Sequence, residues 1–477
     1  MSTTGPKTDP VSVREHERRR GVPVTLKGYL AQVDESTFNV AGDPEGDALL
    51  IDAIEEESVK QTIAVLQNWT RFNAREMLVA ALQMWRPSLF TVSRTAFLKA
   101  YPSALGSGWL RMKLSSERGV AALTPVRLGT TPDQGVVQAD GRSDATEWLS
   151  GGVKPISKRL VKDLARVESL ALAPAQQFAD LAALEPNSKV AAFAAVFDVG
   201  QANCNALVDS EGRPLLFFDM GWPWAAKATP PGAPPELLHG NSAPVLLSHL
   251  DFDHWTYALE QTAPGTALRV KPDALSRDWF APEVRPEHRL GPTHLAFVMA
   301  LSAAGKLKQL KYLPGAAPLT NGALTLIQCS PAGSGSGDRN NSGLALLADL
   351  PNFGKVLFTG DADYESIRRG HAGTLPELKA LVLPHHGGET PSDPPTVSSP
   401  PCFAAVSAHE RSPYHHPRSP ALLKCFQAGW NLSMTFDRVA LAPSHTAVGH
   451  KLLALDGGNL LGPAAPALFG GPYYSRS

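Results

Sequence analysis

Cysteine is scarce in this chain. The four present, Cys204, Cys329, Cys402 and Cys425, form no Cys-x-x-Cys pair, which excludes a zinc ribbon and a thioredoxin-like motif. A reduced, cytoplasmic compartment is the expectation that follows. Charge is sparse too. Charged residues make up 19% of the 477 and the formal net charge is -1. A protein that coats nucleic acid by bulk charge is thereby excluded, while a local basic groove stays open. No apolar run approaches the roughly 18 residues of a membrane-spanning helix, so no membrane partner is expected. The polar start, Met1-Ser2-Thr3-Thr4-Gly5, lacks the apolar stretch of a signal peptide.

What is abundant points to a loop-rich enzyme. Glycine and proline number 40 and 41, and 43% of residues are hydrophobic, enough for real cores. The length makes two domains the default. Residues 1–20 are polar and end in Arg18-Arg19-Arg20. A solvated terminal arm outweighs a nucleic-acid contact there. Apolar residues at helical spacing (Val59, Ile63, Leu66, then Met77, Ala81, Met84) predict helices over about 53–85, broken near Asn73 and ended by Pro87. A second helix is predicted over 156–172, from Leu160, Leu164, Val167 and Leu170, with another short one after Pro174. No catalytic motif precedes residue 189. Residues 1–188 therefore read as a separate helical or α+β domain, for a protein partner or for regulation. Glu185-Pro186-Asn187-Ser188 marks its end.

After that boundary, apolar strands end in polar turns: Ala191–Val199, a hairpin over 205–218, a Pro/Ala/Gly-rich insertion over 223–244, then alternating strands and helices to about 450. Residues 451–477 read as a tail. No internal repeat is visible. Directly after the apolar run Val245-Leu246-Leu247-Ser248 stands His249-Leu250-Asp251-Phe252-Asp253-His254. Such a string arises by chance on the order of once per thousand chains of this kind. Thr359-Gly360-Asp361 and Pro384-His385-His386-Gly387 follow, each after a predicted strand.

These residue types in this order point to a dinuclear metal site. Two divalent ions need carboxylates to offset their charge and imidazoles to fix their geometry. Asp253, His254, Asp361 and His386 are expected to hold the firmer ion. His249 and Asp251 are expected to hold the second, with Asp361 bridging. A hydroxide held between the ions would be the nucleophile at neutral pH. His385 or a water would protonate the leaving group. Asp219 reads as a buried partner that orients the metal loop rather than as a ligand. Arg368, Arg369 and Arg411 are candidate phosphate contacts, weighed against a charged surface face. Gly333–Gly337 reads as a flexible active-site loop rather than a phosphate cradle, since it has no lysine.

The motif order resembles the metallo-β-lactamase fold superfamily. The points of resemblance are Asp219-Met220-Gly221, the 249–254 string, Gly360-Asp361 and Pro384-His385-His386-Gly387. Within it, the sequence is similar to the soluble hydrolase domain of the competence DNA-uptake protein (ComEC-type). Asp198-Val199-Gly200-Gln201, Asn340-Asn341-Ser342 and Tyr414-His415-His416-Pro417 carry that closer likeness, which covers about 189–445. The resemblance implies an α/β fold, the αβ/βα four-layer sandwich, in a bacterial protein. It also implies two divalent ions, zinc or manganese, and hydrolysis of a phosphodiester in nucleic acid or a nucleotide. Asn340, Asn341 and His416 then contact substrate. Hydrolysis of an ester, lactone or thioester is the alternative within the superfamily. A partner-binding module with a structural metal is the alternative outside catalysis. Three departures stand out. Asp251 replaces the usual histidine, which favours harder ions such as Mn²⁺. Asn340 or Asn341 stands where a loop histidine is usual. Trp255-Thr256 replaces a Gly-Gly pair, and its bulk is expected to narrow the mouth of the site.

Overall fold

The computed structural model describes residues 26–38, 48–67, 69–70, 73–102, 108–115, 119–126, 147–150, 153–173, 191–210, 212–223, 242–260, 268–284, 288, 290–311, 317–332, 338–351, 353–409, 415–437 and 451–453. The basic arm, the helix after Pro174, the boundary at 185–188, nearly all of the 223–244 insertion, Gly333–Gly337, Arg411 and Tyr414 lie outside them.

The N-terminal region holds β1 (Lys27–Phe38), β2 (Ala48–Glu55), β3 (Pro87–Ser93), β4 (Leu110–Ser115), β5 (Ala122–Pro125), β6 (Glu147–Leu149) and β7 (Lys154–Pro155). Its helices are α1 (Glu56–Leu66), α2 (Ala74–Met84), α3 (Arg94–Ala100) and α4 (Lys158–Leu172). The strands run in the order β1-β2-β3-β5-β6-β4, and β4 pairs back onto β1, so the sheet closes on itself. Closure leaves no free edge among those six strands. Alternation divides β2 between two cores. Leu49, Ile51 and Ala53 face the barrel interior with Tyr29, Phe90 and Met112, while Leu50 and Ile54 face outward into a second cluster. The helices fall close to the predicted spans, but the stretch from 53 to 55 is the end of a strand. A continuous apolar run buried on both faces cannot be told from a helix by periodicity alone.

The remaining strands form two larger sheets. β8 (Phe193–Val196), β9 (Cys204–Val208), β10 (Pro214–Met220) and β11 (Val245–Leu246) are followed by a ribbon of β12 (Leu259–Glu260) and β13 (Arg269–Val270). Then come α5 (Pro272–Leu275), β14 (Trp279–Pro282), α6 (Pro292–Ala304) and β15 (Leu307–Leu310). Next are β16 (Leu319–Asn321), β17 (Leu324–Gln328), β18 (Leu344–Leu350), β19 (Gly354–Phe358), α7 (Tyr364–Gly370) and β20 (Ala380–Val382). β21 (Phe403–Val406), α8 (Ser419–Gln427), β22 (Asn431–Met434) and β23 (Lys451–Leu453) complete the described chain. One sheet has the order β15-β14-β11-β10-β9-β8-β23 and the other β16 through β22 in sequence. β23, within the stretch read as a tail, thus adds an edge to β8. Val196, Leu207, Phe218 and Leu246 of the first sheet pack against Leu326, Leu346, Phe358 and Val382 of the second. Phe218 and Phe358 meet at 5.6 Å between ring centroids. The outer face of the first sheet packs on α6, and that of the second on α7 and α8.

α6 is apolar nearly all round because it is buried nearly all round. It packs on the first sheet on one side and on α2 and α4 on the other, in one continuous cluster. Its first turn is capped from the N-terminal region. The buried Asp52 carboxylate accepts from Thr293 N at 2.9 Å and Thr293 Oγ1 at 2.7 Å. Gly291 has no Cβ because one would stand 2.2 Å from Asp52 Oδ2. Trp85 Nε1 donates to Pro292 O at 2.8 Å.

α4 brings a titratable group to this seam. Its N-cap Ser157 accepts from Leu160 N at 3.3 Å. Leu164, Val167 and Ala171 are buried, and the half-buried Glu168 shares their face. Burial raises the Glu168 carboxyl to about 7. A raised carboxyl pKa costs stability as pH climbs from the unfolded value through the folded one. Glu168→Gln is therefore expected to match the wild type at pH 4 and to be more stable at pH 8, by about 1–2 kcal/mol after solvent screening. Thermal midpoints at the two pH values check this; equal midpoints at pH 8 would refute it. No helix among the described residues is long and apolar enough to cross a membrane. The four cysteines are buried and free.

Candidate metal centre

The ends of five strands converge on one place between the two sheets. Parallel strands leave their C-terminal ends open to a ligand because the chain must turn away there. β10 ends at Asp219-Met220-Gly221, β11 feeds Ser248–His254, β19 feeds Asp361, β20 feeds His385-His386, and β21 feeds Ser407.

Asp219 is fully buried and adopts a positive φ of 62°. That conformation is uncommon for a residue with a Cβ and persists where surroundings enforce it. Here the carboxylate organises the loop. Ser248 N donates to Oδ1 at 2.7 Å, Ser248 Oγ donates to Oδ2 at 2.8 Å, and His254 Nδ1 lies 2.8 Å from Oδ2. A carboxylate only accepts, so His254 carries its proton on Nδ1. The Ser248 hydroxyl donates its one hydrogen to Asp219, so it accepts from His249 Nδ1 at 3.0 Å. Both imidazoles are thereby held in the tautomer whose Nε2 lone pair faces the site. Their rings lie 4.0 Å apart, and neither Nε2 has a hydrogen-bond partner among the described residues. His386 follows the same rule, with Nδ1 2.9 Å from Ser407 O.

Carboxylates face these lone pairs. His254 Nε2 is 3.3 Å from Asp361 Oδ1 and 3.7 Å from Asp253 Oδ1. His386 Nε2 is 3.0 Å from Asp253 Oδ2. A lone pair against a carboxylate oxygen is repulsive unless a cation, proton or metal, lies between them. Burial alone would lower the two imidazoles, but their carboxylate neighbours outweigh it and raise both. Burial alone would likewise raise Asp253 and Asp361, and the histidines instead hold both down. The donors fall into two sets within ligand reach of one another, His249/His254/Asp361 and Asp253/His254/His386. Buried, tautomer-fixed nitrogen donors with carboxylate oxygens suit a divalent metal ion.

Asp251 sits at the edge. Its Oδ2 is 3.4 Å from His249 Nε2, and its Oδ1 forms an ion pair with Arg339 Nε at 3.0 Å. Burial would raise it, but Arg339 and His249 hold it far below the usual carboxylate range. His385, at φ 47°, is 45% exposed and reaches 3.9 Å from Asp361 Oδ2. Its ring lies 5.0 Å from that of His416. Burial pushes His416 down to about 3, so it is neutral at physiological pH. His415 is exposed. Asn341 spends its side chain within the loop: Nδ2 donates to Asp338 Oδ2 at 2.8 Å and Oδ1 accepts from Asp363 N at 2.8 Å. The half-buried Asn340 accepts from Gly343 N through its carbonyl at 3.3 Å.

Some positions differ from expectation. Trp255 does not narrow the mouth. It is fully buried behind the metal loop, stacked on Phe297 of α6 at 4.2 Å, with Nε1 donating to Leu250 O at 3.2 Å. Arg368 and Arg369 are spent on backbone, on Asp393 O at 2.6 Å and Ser330 O at 2.9 Å. Two site residues were not anticipated. Asn203 donates to Asp361 Oδ1 at 2.9 Å through Nδ2, and its backbone N donates to Asp253 O at 2.9 Å. Arg339 is the other. Only its position next to Asn340-Asn341-Ser342 hinted at it.

No family model matches the chain, and neither does any curated protein. Three solved structures are similar to parts of it. A Thermotoga maritima chain named for the metallo-β-lactamases is 16% identical over 34% of this chain and 68% of its own, at TM-score 0.21. The Zn²⁺-bound PqqB of Methylobacterium extorquens is 12% identical over 50% and 97%, at 0.27. A mutant of the CmlA β-hydroxylase is 12% identical over 83% and 82%, at 0.31. At these scores a common fold does not follow.

Proposed function

We propose that this chain is a dinuclear metal-dependent hydrolase of the metallo-β-lactamase αβ/βα four-layer type, and that the bond it cleaves is a phosphodiester in nucleic acid or a nucleotide. One observation carries the metal reading. Three buried imidazoles have Nδ1 spent on Asp219, Ser248 and Ser407, and turn Nε2 toward one another and toward three carboxylates. His254 has one nitrogen left, so it serves one ion. Asp253, His254, His386 and one Asp361 oxygen suit the firmer site; His249, Asp251 and the other Asp361 oxygen suit the second. Zinc or manganese ions there would supply a Lewis acid and a water of lowered pKa. The chain's own residues do the rest. Asp219 and Ser248 fix the donors, Asn203 orients Asp361, and Asp253 stands over His386 Nε2. His385, half exposed against Asp361, is placed to hand a proton to the leaving oxygen. Hydrolysis then joins a water oxygen to phosphorus, breaks the bond to the leaving oxygen, and moves one water proton onto it. The phosphodiester reading is supported by the motif order and by a cation at the rim, Arg339, which pairs with Asp251 through Nε.

Asp253→Ala is expected to lower phosphodiester turnover at least about a hundredfold. The check is to quantify zinc and manganese in wild type and variant, then incubate each with single- and double-stranded DNA, RNA and a bis-aryl phosphodiester. A wild type that holds ions but leaves every phosphodiester intact while cleaving an aryl ester or lactone would replace this reading. One that cleaves nothing would point to a structural metal.

A further inference from the structure

We propose that Arg339 is a specificity-determining residue of this centre, selecting substrates that carry an anionic oxygen at the scissile atom. The inference rests on the hydrolase reading above and narrows its substrate class. Arg339 stands at the Asp251 end of the donor cluster, and its side chain keeps 26% of its exposure. A guanidinium carries five N–H donors in a fixed fork. Among the described residues, the pairing of Nε with Asp251 is the side-chain contact Arg339 makes. By contrast, Arg368 and Arg369 are occupied by carbonyls.

The charge balance gives the direction of selection. Asp251, Asp253 and Asp361 bring three negative charges to the cluster. Two divalent ions with a hydroxide between them would bring the sum to zero, and Arg339 leaves one positive charge over. An anionic phosphodiester oxygen offsets that surplus in the ground state, whereas a neutral ester oxygen does not. Once Asp251 shares its charge with a cation, the guanidinium has less hold on it and presents its remaining donors to substrate. Bidentate recognition of phosphate is the geometry a guanidinium supplies and an ammonium does not.

The test compares wild type, Arg339→Ala and Arg339→Lys as metal-loaded full chains. Two readouts are needed: kcat/KM for bis(4-nitrophenyl) phosphate against 4-nitrophenyl acetate, and binding of inorganic phosphate by calorimetry. Metal content and circular dichroism are measured beside them. The phosphodiester-to-ester ratio is expected to fall about thirtyfold in Arg339→Ala, chiefly through KM, and phosphate affinity to fall by a similar factor. Arg339→Lys restores part of each, and metal content stays at the wild-type level. Unchanged phosphate affinity in Arg339→Ala overturns the inference, as does a fall that tracks lost metal and leaves the ratio constant. If the wild type cleaves no phosphodiester but binds phosphate through Arg339, the phosphodiester reading fails while selection for an anion stands.

Discussion

His254→Ala is expected to empty the firmer ion site and to lower turnover at least about a thousandfold. His254 is the one residue common to both donor sets. Its one free nitrogen serves the firmer ion, so its removal leaves that ion Asp253, His386 and an Asp361 oxygen, with a single imidazole among them. The damage reaches the support as well. Asp219 is fully buried and loses the imidazole on its Oδ2. Taking one donor from a buried carboxylate costs about 1–3 kcal/mol, because that oxygen keeps only the Ser248 hydroxyl. The thermal midpoint should therefore drop together with metal content. Asp219→Asn with His254 intact separates the two effects: an amide can still accept from Nδ1, so metal binding weakens while the ligand set stays complete. Plasma mass spectrometry of both variants, alongside melting curves, is the measurement. Full metal occupancy in His254→Ala would remove His254 from the centre.

Gly221→Ala should be nearly as severe, although glycine brings no chemistry. A Cβ at Gly221 would lie 1.7 Å from Asp253 O and 2.8 Å from Asn203 O. Both are backbone atoms, so no side chain can swing aside. They are also tied together, since Asn203 N donates to Asp253 O at 2.9 Å and Gly221 N to Asn203 O at 2.7 Å. Room for the methyl comes only from moving the segment that carries Asp253 and His254. The cost expected is about 3 kcal/mol or more, with loss of the metal site. Gly373→Ala is the control. Gly373 has the more demanding φ of 115° but nothing within 4 Å of a Cβ. It should lose only the strain of the backbone, about 1–2 kcal/mol, and keep its metal. Equal losses in the two variants would show that the approach of the metal loop adds nothing at Gly221.

Behind the metal loop, the packing links the N-terminal region to the site. Asp52 of β2 caps α6 at Thr293, and His294 in the next position lies 4.1 Å from Phe252 and 5.3 Å from Trp255. Those two aromatic residues bracket Asp253 and His254. The bulk at Trp255 is thus a foundation stacked on α6, which is why it does not obstruct the opening.

The donor set was legible in sequence because it is local. Four of its six residues lie within 249–254, and Asp361 and His386 each follow a short apolar strand whose turn residues announce them. The helices α1, α2 and α4 were legible because each buries one face at helical spacing. The closure of β1 to β6 was not. Several of those strands are short, and their pairing joins Tyr29 to Met112, a partnership that no local pattern encodes. The same holds for Asn203, which reaches Asp361 across 158 positions. Direction, too, belonged to the tertiary structure: whether Trp255 faced the mouth or the core, whether Asn341 pointed at substrate or at Asp338, and which arginine stood at the rim. Residue type and spacing set which chemistry is available, since only a few side chains, histidine and carboxylate among them, can hold a metal wherever they stand. Packing between distant segments decided where each side chain points, because burial selects one rotamer and one partner from those the sequence allows.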